Sequence, residues 1–293
     1  METPTHYSEE NSMNDQVESV KPQLHWSQIS MFSRCAEQFR RRYLEGEIIP
    51  PGIALITGTS VHKSAECDLS KKIVTGELAN EDEVIAVARD HVAGAFSSGD
   101  YLLQPDERNL GPDRVRDNVI DTAITLASLH HRELAPQVAP VAVERKWVLE
   151  LNGYPVNLAG TIDCDEGDII DDWKTAARSP AAGAEHQSGQ ATMYSLAKKV
   201  LDGVIPTFRL GYLVKTKTPK ALFRETRRTN EDFQALLLVV ERVCEAIDKG
   251  IFLFAAGQDP RPWACSPRWC GFYGSCKGVN NPVAVAMSKK EVA

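Results

Sequence analysis

The 293-residue chain has no run of eighteen apolar residues, so the sequence offers no helical membrane span. Its opening stretch, METPTHYSEENSMNDQVES, is polar and lacks the basic-then-apolar order of a secretory leader. It has no Gly-x-x-x-x-Gly-Lys-Ser/Thr phosphate loop, which argues against a helicase or ATPase motor within this chain. No internal repeat, independent linker or base-reading helix is recognisable. Seven cysteines are an odd number, which argues against a complete disulfide framework. Positive charge is also in short supply. Lys and Arg number 33 against 40 Asp and Glu, giving a formal net charge of -7. That excludes a protein coated in positive charge but leaves room for a local basic groove on an acidic body. The expectation is a cytoplasmic protein, or one acting in the host cytoplasm if viral.

Hydrophobic residues make up 43% and charged residues 25%, the balance of a globular protein with one sizeable core and helical additions. Residues 1–25 read as a flexible arm, 26–137 as mainly helical, 138–250 as the core carrying the chemistry, 251–278 as a cysteine-bearing segment and 279–293 as a loose tail. Ser27 is placed to cap a helix running to about Leu44, and a second helix is expected after Gly58-Thr59. Helical spacing continues in Glu81–Phe96 and Arg114–Leu134, with YLLQPDERNLGPD between them read as a loop. Strands are expected from Val141, Val156, Ile169 and Phe208, and helices from about His186 to Val200 and Glu231 to Lys249. This order predicts an α/β protein with a small sheet flanked by helices.

The segment GTIDCDEGDIIDDWKTA carries the most chemistry. A two-residue turn at Gly167-Asp168 makes it a hairpin in which Asp163 faces Asp172, and strand alternation sets Asp172 and Lys174 on one face. Facing carboxylates repel unless a positive group lies between them. A divalent cation supplies that charge, and hard oxygen ligands suit magnesium or manganese. The competing reading is a solvated acidic turn with an incidental lysine, which fits Asp165, Glu166, Asp168 and Asp171.

With two further elements in view, four in all, the sequence resembles the RecB-like branch of the PD-(D/E)XK nuclease superfamily. Gly58 to His62 corresponds to its Gly-x-x-x-His element, Gly160 to Asp163 to Gly-x-Ile-Asp, Asp172 to Lys174 to Asp-x-Lys, and Gln190 to Tyr194 to Gln-x-x-x-Tyr. The resemblance runs from about Trp26 to Cys276 and implies a restriction-endonuclease-like core of mixed sheet and flanking helices. It implies that His62, Asp163 and Asp172 bind the catalytic metal, with the Trp173 carbonyl contributing, and that Lys174 is the catalytic lysine. Lys174 would orient or deprotonate the attacking water, or stabilise the phosphate, and the sequence leaves these open. Gln190 and Tyr194, four apart on one helical face, would position nucleic acid. Glu144 matches a recurrent upstream glutamate of open role, and His25, His91, His130, His131 and His186 gain no comparable support.

Cys265, Cys270 and Cys276 lie close together in an aromatic, Gly-rich segment, a clustering that favours metal or cluster binding. Three thiolates leave a tetrahedral site one ligand short. The resemblance supplies Cys35 as the fourth and implies a [4Fe-4S] cluster, with structural zinc as the alternative. The spacing between Cys265 and Cys270 is wider than one frequent family pattern. Cys67, Cys164 and Cys244 are unassigned.

Arg40, Arg41, Arg42, Lys215 and Lys217 are candidate phosphate contacts, or a solvated edge. The function implied is a metal-dependent DNA exonuclease of weak sequence preference, serving repair, recombination or phage DNA processing, with a helicase or recombination partner and a homo-oligomer both open. A DNA endonuclease and a non-catalytic iron–sulfur DNA-binding or assembly subunit are the alternatives.

Overall fold

A computed structural model describes residues 21–258 and 260–280. The arm expected over residues 1–25 lies mostly outside these, as does the tail beyond 280. Two ends of those expected segments are ordered. Gln23–His25 forms strand β1 and pairs in parallel with the middle of the chain, and the Asn280 amide bonds the carbonyls of Tyr273 and Gly274.

Helix α1 (Trp26–Arg34) does not run on to Leu44 as expected. Cys35 takes an extended conformation, φ -161° and ψ 98°, and separates α1 from the short α2 (Ala36–Phe39), which passes into a π-helical turn at Arg40–Leu44. Helix α3 (Ile53–Thr75) starts earlier than expected. The break comes from Pro51 and the extended Gly52, so Gly58 lies within the helix, where its bare backbone faces the Thr175 hydroxyl. Helix α4 (Glu81–Ser98) follows. The segment read as a loop contains a short helix, α5 (Pro105–Leu110), whose Pro occupies the first turn and whose Glu107 side chain accepts from the Gln104 backbone. Helix α6 (Pro112–Leu129) ends in a π-helical turn at His130–Leu134.

Strands β2 (Ala142–Leu149), β3 (Asn157–Asp165) and β4 (Ile169–Ala176) come next, then α7 (Gly189–Asp202), β5 (Thr207–Val214), β6 (Lys220–Arg227) and α8 (Asn230–Asp248). The sheet is mixed. Strand β3 pairs antiparallel with β2, β4 runs parallel to β5, and β6 closes the edge antiparallel to β5. Strand β6 was not expected, because in KALFRETR only Ala221, Leu222 and Phe223 are apolar and the charged and polar residues around them form neither an alternating pattern nor a long hydrophobic run.

Residues of α1, α7 and α8 pack on one face of the sheet around Ile29, Met193, Phe208 and Val240. Val61 and Leu69 of α3 and Leu126 of α6 cover the other face around Trp173 and Leu213, and α4 backs these helices through Val84, Ala88 and Val92. This is the restriction-endonuclease-like architecture expected, a small mixed sheet between helical layers. No described helix is long and apolar enough to cross a membrane.

Gly160 shows why the Gly-x-Ile-Asp element needs its glycine. A Cβ there would lie 2.6 Å from the Trp147 ring and 2.9 Å from the Tyr194 ring, which pack edge to face. Gly160→Ala should therefore cost about 1–3 kcal/mol by overpacking, read as a lower midpoint in urea unfolding. An unchanged midpoint would show that the two rings can separate freely.

Candidate active site

The hairpin register places Cys164 opposite Asp171 and Asp165 opposite Ile170, around a turn in which Gly167 has φ +94°. This is the alignment that sets Asp163 level with Asp172. Beyond Cys164, however, the β3–β4 ladder stops. The same edge of β3 carries β1 at Asn157–Ala159, so the stretch from Gly160 to Asp163 faces a gap between two partner strands. Into this gap the Asp163 carboxylate reaches across and accepts the Trp173 backbone N–H at 2.8 Å, replacing a ladder bond with a side-chain bond.

Helix α3 brings His62 to the same place. Its Nε2 is 2.8 Å from the Trp173 carbonyl oxygen and its Nδ1 3.3 Å from Asp163 Oδ2. Burial opposes the imidazolium, but the hydrogen bond and charge of Asp163 outweigh it, lifting the His62 pKa to about 9. The protonated ring can then donate from both nitrogens, to the carbonyl and to the carboxylate.

Asp172 is buried, at 3% exposure. Its Oδ1 accepts from the Gln190 amide at 2.7 Å, and its Oδ2 lies 2.6 Å from Lys174 Nζ. That second contact is an ion pair lacking hydrogen-bond geometry, and Oδ2 has no other partner. Burial pushes the Asp172 carboxyl up, and Asp163 adds to the effect. Burial pulls the Lys174 ammonium down, but the Asp172 charge overrides it and the net shift is upward. Lys174 also donates to Gln190 Oε1 at 3.0 Å, so the amide of Gln190 ties lysine and aspartate together. Ser188 caps the helix that carries Gln190.

Tyr194 sits one turn further along α7, but inside the core. It packs against Trp147 and Phe208, and burial pushes its phenol up. The helical spacing therefore puts Gln190 in the site and Tyr194 behind it.

Glu144, whose role the sequence left open, is the residue most changed by the structure. It lies on β2 between residues paired with Cys164 and Ile162, level with Asp163. It has φ +50°, unique among the described non-glycine residues. Its carboxylate, His62 and Asp163 bring one ligand atom each within 4.8 Å of one another, the one such trio among the described His, Cys, Asp and Glu residues. Burial pushes the Glu144 carboxyl up, with Asp163 and Glu66 reinforcing it. No periodicity in the sequence signals this, because the left-handed backbone is a tertiary strain. His130, also without sequence support, is fully buried edge-on to Trp173, with a ring-centroid separation of 4.6 Å, and burial lowers its pKa to about 3.

The donor set fits a divalent cation. Glu144 and Asp163 bring their carboxylates together with the His62 imidazole, the Trp173 carbonyl bonds the same imidazole, and the buried Asp172 Oδ2 has an ion pair but no hydrogen bond.

The four predicted cluster cysteines also come together. Cys35, Cys265, Cys270 and Cys276 line one cavity of about 20 Å³ with Arg34, Gln38 and Tyr273. No three of their sulfurs lie within 4.8 Å of one another. Of the predicted phosphate contacts, Arg40 pairs with Glu37 and Glu45, while Arg41 pairs with Glu47 and covers the Phe272 ring. Carboxylates thus already engage both guanidinium groups. Arg42 stacks on Tyr43. Lys215 and Lys217 are exposed in the β5–β6 turn, where the Lys215 backbone bonds Ala176 at the end of the strand that carries Lys174.

Comparison with known proteins agrees with this architecture. A crystal structure of a Eubacterium rectale protein with a provisional exonuclease designation superposes with a TM-score of 0.53 at 14% identity, covering 87% of this chain and 92% of that one. This likeness concerns the fold. No curated protein matches the sequence significantly. The family pattern of the PD-(D/E)XK nuclease superfamily matches residues 23–277, and the chain belongs to that superfamily.

Proposed function

We infer that the protein is a divalent-metal-dependent DNA exonuclease of the RecB-like branch, using Mg²⁺ or Mn²⁺. The observation that carries this reading is the strand gap where Asp163, the Trp173 carbonyl and His62 meet, with the Asp172–Lys174–Gln190 network alongside. Asp163, Asp172, His62 and the Trp173 carbonyl would hold the ion, His62 by giving up a ring proton as the ion binds, and Glu144 would join them. A divalent cation supplies Lewis-acid polarisation of the phosphodiester and activates water for attack. Lys174, held charged by Asp172, stabilises the negative charge that develops on the phosphate. Gln190 keeps Lys174 and Asp172 in register, and Tyr194 braces Gln190 from the core. Lys215 and Lys217 guide the backbone of the strand beyond β4. Exonuclease action is supported by the designation of the Eubacterium rectale protein.

We assign the four-cysteine cavity to a [4Fe-4S] cluster. Four thiolates also satisfy zinc, and the preference for the cluster rests on the family resemblance rather than on the spacing of the sulfurs.

The test is cleavage of end-labelled linear single- and double-stranded DNA, and of closed circular single strands, by anaerobically purified protein. Metal-dependent release of nucleotides from linear DNA, with circles intact, is the expected result. Cut circles would make the protein an endonuclease, and DNA binding without any cleavage would make it a binding or assembly subunit.

Glu144→Gly separates a ligand from a structural residue. Glycine accepts φ +50° without strain, a relief of about 1–3 kcal/mol set against roughly 0.5–1 kcal/mol of added chain entropy. Stability should hold or rise, while Mn²⁺ affinity by calorimetry should fall about 10–100-fold. A less stable protein with unchanged Mn²⁺ affinity would make Glu144 a structural residue only.

A further inference from the structure

The cysteine-bearing segment carries a feature that neither the metal site nor the cluster uses. Three of the five tryptophans are packed into the fold: Trp147 and Trp173 are buried, and Trp26 lies over Gly189. The other two, Trp263 and Trp269, are 69% and 53% exposed. They flank Cys265 and stand edge to face, with ring centroids 5.3 Å apart and planes at 89°. Built turns hold them. The Ser266 hydroxyl donates to the Trp263 carbonyl, the Trp269 N–H to the Ser266 carbonyl, and the Cys265 N–H to the Pro262 carbonyl.

The segment that carries the rings is basic, with Asp259 just before it in sequence and Asp106 beside Arg268. From Pro260 to Asn280 the chain contains Arg261, Arg268 and Lys277 and no aspartate or glutamate, in a protein with a net charge of -7. The Arg268 guanidinium lies 5.5 Å from the centre of the Trp269 ring and only loosely meets Asp106, at 3.6 Å across an exposed pair. Exposed indoles forgo the stabilisation of burial. Indole faces beside arginines, on an otherwise acidic protein, match a ligand that offers flat π-surfaces on an anionic thread. Unpaired bases of a single strand have that chemistry, because every base presents a π-face whatever its identity. A duplex hides those faces in its stack.

We propose that Trp263 and Trp269 form a stacking platform for unpaired bases of a DNA strand, with Arg261 and Arg268 binding its phosphates. The choice of DNA rests on the nuclease reading above. Because the platform is built on the turns around Cys265 and Cys270, the cluster ligands also set its shape.

The test is tryptophan fluorescence during titration with a thymidine homo-oligonucleotide, in metal-free buffer so that the strand stays intact. A blunt duplex and heparin serve as comparisons. The buried Trp147 and Trp173 contribute a constant background, and quenching that survives in the double alanine variant measures the share of the half-buried Trp26. The single strand should quench strongly, and the duplex and heparin weakly. Trp263→Ala and Trp269→Ala should each weaken single-strand binding about 10-fold or more, while Trp269→Phe keeps part of it. Thermal unfolding and visible absorbance confirm that each variant retains its fold and cofactor, and Arg268→Gln gives a second variant that leaves the rings in place. Equal affinity for the single strand in the double alanine variant, read from the fluorescence anisotropy of a dye-labelled oligonucleotide, would overturn the platform, as would equal quenching of the native protein by heparin, which has charge but no bases. Cleavage by the same preparations is scored separately. Cleavage with no quenching removes the platform and keeps the nuclease, and quenching without cleavage does the reverse.

Discussion

Asp172→Asn should abolish DNA cleavage, by about 10³-fold or more, since one charged group placed against the reacting phosphate is worth roughly that factor. The fold should survive. An asparagine oxygen can still accept from Gln190, which now bonds Asp172 Oδ1. The substitution also removes a buried carboxylate whose ionisation burial already opposes. Lys174 loses its ion pair, but its side chain is 39% exposed and can turn to water, so no cation is stranded in the interior. Stability should change by no more than about 1–2 kcal/mol, far less than when one half of a fully buried pair is removed. The measurement pairs a single-turnover cleavage rate with an unfolding curve. Wild-type cleavage in the variant would remove Asp172 from the mechanism. Lost cleavage with a collapsed unfolding curve would mean that Asp172 holds the β4 strand rather than a cation.

The second large effect concerns the cysteines. Replacing Cys35, Cys265, Cys270 and Cys276 together by alanine should remove iron and acid-labile sulfide and lower thermal stability markedly. A cross-link that joins Cys35 to the C-terminal trio closes nearly the whole chain, and closing so long a loop is worth on the order of 5 kcal/mol in chain-entropy models. The remaining attachments of the C-terminal segment are few and local. The Glu37 N–H donates to the Leu253 carbonyl, Phe252 packs on Phe32, Arg41 bonds Ser275 and covers Phe272, and Gly271 packs on Ile49. Proteolysis should therefore cut first after residue 250 in the variant, and the central sheet should resist longer. Metal analysis decides the occupant. Iron with sulfide supports the cluster, one zinc per chain replaces it with a zinc staple, and an unchanged unfolding curve with no metal lost would mean that the four thiols bind nothing.

Short-range chemistry in the sequence determined much of this protein. Hydrophobic periodicity located α4, α7 and α8 to within a few residues, and the Gly167-Asp168 turn determined the register that levels Asp163 with Asp172, because a tight turn leaves little freedom in pairing. Motif spacing pointed to His62, Lys174 and Gln190 as neighbours, and the clustering of three cysteines pointed to the cavity that they line with Cys35. Other features are decided by contacts distant in sequence. The extended kink at Cys35 breaks an otherwise helical pattern and carries that residue to the cavity shared with the C-terminal cysteines. The charged edge strand β6 gains its conformation from pairing with β5 rather than from an apolar pattern of its own. Arg40 and Arg41 look free in the sequence, yet Glu37, Glu45 and Glu47 fold back onto them. Tyr194 and Gln190 share a helical face, but packing sends one into the core and the other to Asp172 and Lys174. Only the tertiary structure could recruit Glu144. Its left-handed backbone carries no sequence signature, and it lies beside Asp163 because β2 and β3 pair there and the surrounding fold holds the strain.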